Sequence, residues 1–291
     1  MKKNLALIST IIFSLSLAGC TSKQNKVSTP SKPNTKVEKK IDENTTSSKP
    51  TVNNPKETTN TKNLKHNNEG VPVIMYHSIK YEKNNCVRLS KENFEKQMKY
   101  LKDNNYTTLT LDELHNFFEK NIPVPKKSVV LTFDDGYKDN YETAYPILKK
   151  YGFKATVFVI TNCIDTGEYL TSEQLKELDK NGFDVESHTA NHETLTELTY
   201  DKQYDTVFKS KEKLEKLLNK QVKYIAYPCG KYNNDTIKAV KNAGYKMAVT
   251  TDGRWSDKSD GIFTLDRVFI SGFHNINTFK NRIINPNYNF N

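Results

Sequence analysis

The chain has 291 residues, 35% of them hydrophobic and 27% charged, with a formal net charge of +10, a size that allows one or two domains. The charge is unevenly placed: residues 1–69 hold 12 Lys/Arg against 5 Asp/Glu, a net +7, which leaves only +3 for residues 70–291. With no basic helix and no interleaving of aromatic and basic residues, nucleic-acid binding is excluded, and nothing in the sequence points to a protein partner.

Residues 1–19 read as a signal peptide: Lys2 and Lys3, an apolar run from Leu5 to Leu17, then small residues. The run is too short for a comfortable permanent membrane span. Leu17-Ala18-Gly19-Cys20 resembles the bacterial lipobox. That resemblance implies a lipidated Cys20 as the mature N-terminus and anchoring at the extracellular face of the membrane; an ordinary signal peptide with a chance cysteine is the alternative. Thr21 to Glu69 are rich in Lys, Asn, Thr, Ser and Pro. Such a segment cannot bury enough apolar surface to offset its ordering entropy, so residues 20–69 are expected to be a disordered tether. Cys86, Cys163 and Cys229 form no C-x-x-C pair, which argues against a cysteine zinc site and leaves one disulfide open.

From residue 70 to 291 short apolar runs alternate with helical patterns. Strands are expected at Val71–Tyr76, Ser128–Phe133, Ala155–Ile160, Phe183–Glu186, Val222–Tyr227, Lys246–Thr250 and Arg267–Ile270. Between them, Ser90 caps a helix, Thr110 and Glu113 form a capping box, and so do Thr171 and Gln174. Further helices are expected at Tyr141–Tyr151 with Gly152 as the stop, Asp201–Leu218, Thr236–Asn242 and from Thr278 onward. The alternation predicts an α/β fold: one (β/α) barrel, distorted or incomplete, of seven to eight strands.

Reactive side chains cluster just after these strands. His77 follows the first, Asp134-Asp135-Gly136 the second, His188 to His192 the fourth and Pro228-Cys229-Gly230 the fifth. Barrel enzymes build their sites at that end of the strands. His188 and His192, four apart, would face one way on a helical turn and share a metal. Adjacent carboxylates repel unless something uses them, although Asp-Asp-Gly is also ordinary turn chemistry. Two His and one carboxylate leave open positions on a divalent ion, zinc first, with cobalt, nickel or iron also suited. Such a site fits hydrolysis of an amide or ester.

Thr132-Phe133-Asp134-Asp135-Gly136 with Ser187-His188-Thr189-Ala190-Asn191-His192 resembles the first two motifs of the polysaccharide deacetylases, carbohydrate esterase family four. The resemblance runs from Val71 to the C-terminus. It implies Asp134 as general base, Asp135, His188 and His192 as metal ligands, and an N-acetylated polysaccharide as substrate. The third motif, normally Arg-x-Pro-aromatic-Gly, stands here as Ala226-Tyr227-Pro228-Cys229-Gly230. The Cys229 N–H is placed to stabilise an oxyanion. Arg267 either replaces the missing arginine beside the base or makes a surface ion pair. Tyr227, Trp255 and His274 are candidate substrate contacts, with a place in the core as the equal alternative for Trp255, which stands in Asp252-Gly253-Arg254-Trp255. Val71-Pro72-Val73-Ile74-Met75-Tyr76-His77-Ser78 resembles the opening of a permuted branch that includes poly-N-acetylglucosamine deacetylases, which implies His77 as general acid; His274 is the other candidate. The polymer is then poly-N-acetylglucosamine or peptidoglycan. The departures in the third motif leave open a degenerate surface lipoprotein that only binds glycan.

Overall fold

A computed structural model describes residues 63–289; the expected signal segment, Cys20 and most of the expected tether lie outside the described residues. The elements are β1 (Leu64–Lys65), β2 (Val73–Tyr76), α1 (Lys91–Asp103), β3 (Thr107–Leu109), α2 (Leu111–Lys120), β4 (Val124–Pro125), β5 (Ser128–Phe133), α3 (Tyr145–Tyr151), β6 (Ala155–Val159), α4 (Ser172–Lys180), β7 (Phe183–Ser187), α5 (Tyr200–Leu218), β8 (Tyr224–Ala226), α6 (Asn234–Asn242), β9 (Met247–Val249), β10 (Val268–Phe269) and α7 (Ile276–Ile284). The expected tether boundary at residue 69 falls too late. β1 already pairs with β4, and the Lys65 stem is buried with its ammonium donating to Gly70 O at 2.8 Å. Among the described residues no helix is long and apolar enough to cross a membrane.

The strands lie in the order β10-β2-β5-β6-β7-β8-β9, every neighbouring pair parallel, with β3 beside the first half of β5. The sheet then curls back on itself. Thr250 N donates to Leu265 O at 2.8 Å and Leu265 N to Ala248 O at 3.2 Å, joining β9 to the segment that leads into β10. This is the distorted (β/α) barrel expected from the alternation. All six residues of β5 are buried, as a strand covered on both faces must be.

Alternation along each strand divides the core in two. Ile74, Tyr76, Leu131, Phe133, Val157, Val185, Ile225 and Tyr227 belong to one cluster with residues of the surrounding helices; Val73, Val130, Phe158, Ala226, Met247 and Val249 belong to the other, inside the barrel. The capping boxes at Thr110 and Thr171 and the left-handed cap at Gly152 form as expected. The expected helix at Tyr141 instead opens with a π-helical turn, Asn140–Ala144, before α3. Pro146 lacks the N–H that regular α hydrogen bonding would need there.

Phe94 is fully buried on α1 and meets Tyr76 edge-on at 5.3 Å between ring centroids. Phe94→Ala should therefore cost about 3–5 kcal/mol of stability, read from urea denaturation; a change under about 1 kcal/mol would show that this contact between helix and barrel carries little of the fold.

Candidate metal and catalytic site

Because all barrel strands run parallel, the residues after β2, β5, β7 and β8 emerge at one end. Asp135 Oδ1 lies 3.5 Å from His188 Nε2 and 3.5 Å from His192 Nε2, and one ligand atom from each residue falls within 4.8 Å of the others. The donors fit a divalent cation on two counts. Asp135 Oδ1 is buried with no hydrogen-bond partner. His188 Nδ1 sits 2.8 Å from Ala226 O, so the proton belongs there and the Nε2 lone pair is free to face Asp135. Burial pushes the Asp135 carboxyl up to about 6, opposed by His77 and reinforced by the Asp134 charge. Burial also pulls the His188 imidazole down to about 4, against the pull of Asp134, and so keeps it a neutral ligand.

The histidines do not sit on a helical turn. Thr189 and His192 have φ of 65° and 60°, so the loop reverses twice in left-handed conformation. Among the described residues, the only positive-φ positions that are neither glycine, Asn nor Asp are Thr189, His192 and Cys229, all in the loops after β7 and β8. Such backbone costs about 1–3 kcal/mol per residue and persists only where the surroundings impose it. Here Glu193 imposes it, accepting from Thr206 Oγ1 at 2.9 Å and Asn191 Nδ2 at 2.8 Å, while His192 N donates to Thr189 Oγ1 at 3.0 Å.

Asp134 points into the barrel. Arg267 reaches it from the residue before β10, with Nη1 at 2.7 Å from Oδ1 and Nη2 at 2.6 Å from Oδ2. The guanidinium also donates to Thr132 Oγ1 at 3.1 Å and to Thr250 O at 2.7 Å, and lies over the Phe158 ring. Of the two readings of Arg267, the surface ion pair fails, because the side chain is wholly buried. Burial by itself would raise the Asp134 pKa; the Arg267 charge, with His188 and the paired hydrogen bonds, outweighs it and holds the carboxylate well below its usual range.

His77 follows β2, and its ring acts electrostatically on both Asp134 and Asp135. Its Nδ1 is buried without a partner. Asn140, in the π-helical turn, donates to His77 O at 2.7 Å, and Asp139 accepts from Ser78 Oγ at 2.6 Å and Ile79 N at 2.7 Å. Together they fix the end of β2. His274 lies beyond Phe269, whose ring is 6.0 Å from His77 and 6.3 Å from His274. Its Nδ1 accepts from Ser271 N, and burial, with Arg282, pulls its pKa down to about 4. At neutral pH it carries little of the charge an acid needs. Cys229 is exposed after β8, and Cys86, Cys163 and Cys229 are all free thiols. Gly230 follows at φ 67°, where a Cβ would come within 2.1 Å of Thr251 Oγ1.

Two expected substrate contacts are elsewhere. Tyr227 is fully buried on the outward face of the sheet, stacked on Tyr232 with its hydroxyl donating to Phe263 O at 2.9 Å. Strand alternation puts Ala226 inside the barrel and therefore Tyr227 outside. Trp255 lies at the opposite end from His77. The chain descends after β9 until Ser256 bridges Val71, and the Trp255 indole donates to Arg282 O at 2.8 Å. It lines a cavity of about 520 Å³ with Arg254, Asp266 and Asn67. That cavity is a separate feature from the triad. Asp139, Asn140 and Glu193 were not foreseen. Glu193, one residue past His192, was at least close in sequence to the second motif.

Fold and site define a (β/α) barrel enzyme built for hydrolysis at a carbonyl centre. A family profile described as polysaccharide deacetylase matches residues 121–248. The Bacillus subtilis (strain 168) protein YxkH, provisionally named a polysaccharide deacetylase, is 42% identical over 201 residues, 69% of this chain and 71% of that protein. The poly-beta-1,6-N-acetyl-D-glucosamine N-deacetylase of Staphylococcus aureus (strain MRSA252) is 33% identical over 213 residues, 68% of this chain and 72% of that protein. Among solved structures, the Streptococcus pyogenes deacetylase PplD in complex with acetate matches with a TM-score of 0.71 at 33% identity, over 74% of this chain and 98% of that one. The chain belongs to the polysaccharide deacetylase family and is a hydrolase of carbon–nitrogen bonds other than peptide bonds.

Two outcomes follow from the electrostatics. A cation must displace the proton that Asp135 holds up to about pH 6, so Zn²⁺ affinity measured by calorimetry should fall steeply below pH 6 with proton uptake by the released site; an affinity flat from pH 7 to 5 would contradict this. The Asp134 pKa is lower folded than unfolded, so its stabilisation is present above about pH 4 and lost as pH falls through the folded value. Arg267→Met should cost about 3–5 kcal/mol at neutral pH by leaving a buried charge unpaired, and the deficit should shrink in acid.

Proposed function

We propose that the protein removes N-acetyl groups from N-acetylglucosamine units of an extracellular polysaccharide, releasing acetate, with a divalent cation, zinc being the best fit, held by Asp135, His188 and His192. The observation that carries this reading is the buried, unpartnered Asp135 Oδ1 equidistant from two imidazole nitrogens, beside an aspartate kept ionised. When bound, the cation would acidify a water and polarise the acetyl carbonyl. Arg267 ensures that Asp134 is charged at the cost of basicity, so Asp134 suits an already acidified water, whose proton it takes as the oxygen attacks. The Cys229 N–H, in the loop after β8, would stabilise the developing oxyanion. His77 gives its proton to the departing sugar nitrogen, which leaves as an amine while acetate is freed.

Poly-N-acetylglucosamine is the favoured polymer, because the S. aureus relatives are named for it and His77 enters on the first barrel strand next to the last. A lipid on Cys20 and the polar segment after it would hold the barrel outside the membrane, within reach of such a polymer. The bound Arg267 also removes the main ground for a degenerate glycan binder, since the base is not missing its cation.

Asp134→Asn, His77→Ala and His188→Ala should each abolish acetate release from poly-N-acetylglucosamine while circular dichroism stays native. Chelation should abolish it and Zn²⁺ restore it. Unchanged release by His77→Ala would remove that residue from the scheme; release only from peptidoglycan strands would change the polymer; chain cleavage without acetate would overturn the reaction.

A further inference from the structure

We propose that the polymer deacetylated here is acidic, and that a groove beside the histidine loop, edged by Lys202, Lys209 and Lys213 of α5, binds its phosphate or carboxylate groups. This rests on the function proposed above and adds one property, negative charge, to the substrate. The groove has a volume of about 300 Å³. One wall is the loop that carries the two histidines, through Ala190 and Asn191; another is the turn Thr161–Cys163, through Thr161 and Asn162. The two walls are stitched together. Thr161 N donates to Thr189 O at 3.1 Å, Asn162 N to Ala190 O at 2.9 Å and Asn162 Nδ2 to Asn191 Oδ1 at 2.6 Å. A ligand in the groove therefore lies against the residues between His188 and His192.

The charge comes from α5. Lys202, Lys209 and Lys213 are spaced seven and four residues apart, so they share one helix face, and all three are exposed. The groove also holds two carboxylates, each already engaged. Glu193 Oε1 accepts from Asn191 Nδ2 at 2.8 Å and its Oε2 from Thr206 Oγ1 at 2.9 Å. Asp205 accepts from Lys209 at 2.7 Å. Lys202 and Lys213 make no hydrogen bond or ion pair with any described residue. The Asp165 carboxylate, which Lys213 attracts through space, is bonded instead to Ser172 N and Oγ. From Lys202 to Lys213 the helix covers about 16 Å, so the ammoniums form a row and not a cage around one ion. A row of like charge suits a chain that carries anions at intervals. On the wall beside it, Thr161 is buried and its Oγ1 has no hydrogen-bond partner, a polar group that the protein itself leaves unsatisfied. Exposed lysines are ordinary on any helix. These differ because they edge a groove whose carboxylates are engaged and whose wall is the segment between two candidate metal ligands.

The test is acetate release by the Zn²⁺-loaded full chain from N-acetylglucosamine oligomers of equal length that are neutral, O-phosphorylated or O-carboxymethylated, with binding of each oligomer read by calorimetry. At least one acidic oligomer should show a KM about tenfold below that of the neutral one, with kcat little changed and affinity raised to match; which of the two does so identifies the anion. Lys202→Gln combined with Lys213→Gln should abolish this preference. Lys91→Gln combined with Lys96→Gln, the same change of charge at exposed positions of α1, should retain it. Equal or absent binding of the neutral and acidic oligomers overturns the proposal. So does a preference that survives the loss of Lys202 and Lys213, or one lost equally in the α1 pair, which marks net charge alone. A chain that binds an acidic oligomer through Lys202 and Lys213 yet frees acetate from none of the three retains the groove, and it is the proposed reaction that fails.

Discussion

The structure turns on the buried pair between Asp134 and Arg267. Neither charge reaches water, and the guanidinium spends its donors on both carboxylate oxygens, a threonine hydroxyl and a backbone carbonyl. Such a pair seldom stabilises a fold more than well-packed apolar side chains would. Its value lies in what it does to the neighbouring residue. Two adjacent carboxylates cannot both stay ionised without compensation. Arg267 compensates Asp134 from inside the barrel, while Asp135, at a left-handed backbone position, has no such partner and keeps a raised pKa.

The barrel makes this division possible. Parallel strands deliver His77, the two aspartates and the two histidines to one end, while inside–outside alternation sends Thr132, Asp134 and Arg267 inward beside Phe158 and turns Leu131, Phe133 and Tyr227 toward the helices. The left-handed positions at Asp135, Thr189, His192 and Cys229 are the local cost of aiming side chains across the mouth. Polar groups one layer back absorb that cost: Glu193 under the histidine loop, Asp139 and Asn140 under the end of β2.

Much of this was legible in the sequence, for identifiable reasons. β5 announced itself because six buried residues in a row have no other use, and the capping boxes fixed helix starts because their side chains bond locally. The candidate ligands Asp135, His188 and His192 stood in motifs at strand ends, and the structure brings the three together. Tyr227 was misplaced because a strand buried on both faces hides which face each residue takes. Trp255 was left between substrate contact and core because an irregular descent after β9 leaves no periodic signal. The Arg267–Asp134 pair depends on β10 closing beside β2, a long-range event that is not written in local pattern. β1, β3 and β4 are too short to show a period.

The most direct measurement is anomalous diffraction from crystals grown with Zn²⁺. One ion is expected at about 2.0–2.2 Å from Asp135 Oδ1, His188 Nε2 and His192 Nε2, with Asp134 outside its coordination shell and still paired to Arg267. No anomalous peak at these three residues, or an ion that draws Asp134 away from Arg267, would contradict the division of labour between the two aspartates.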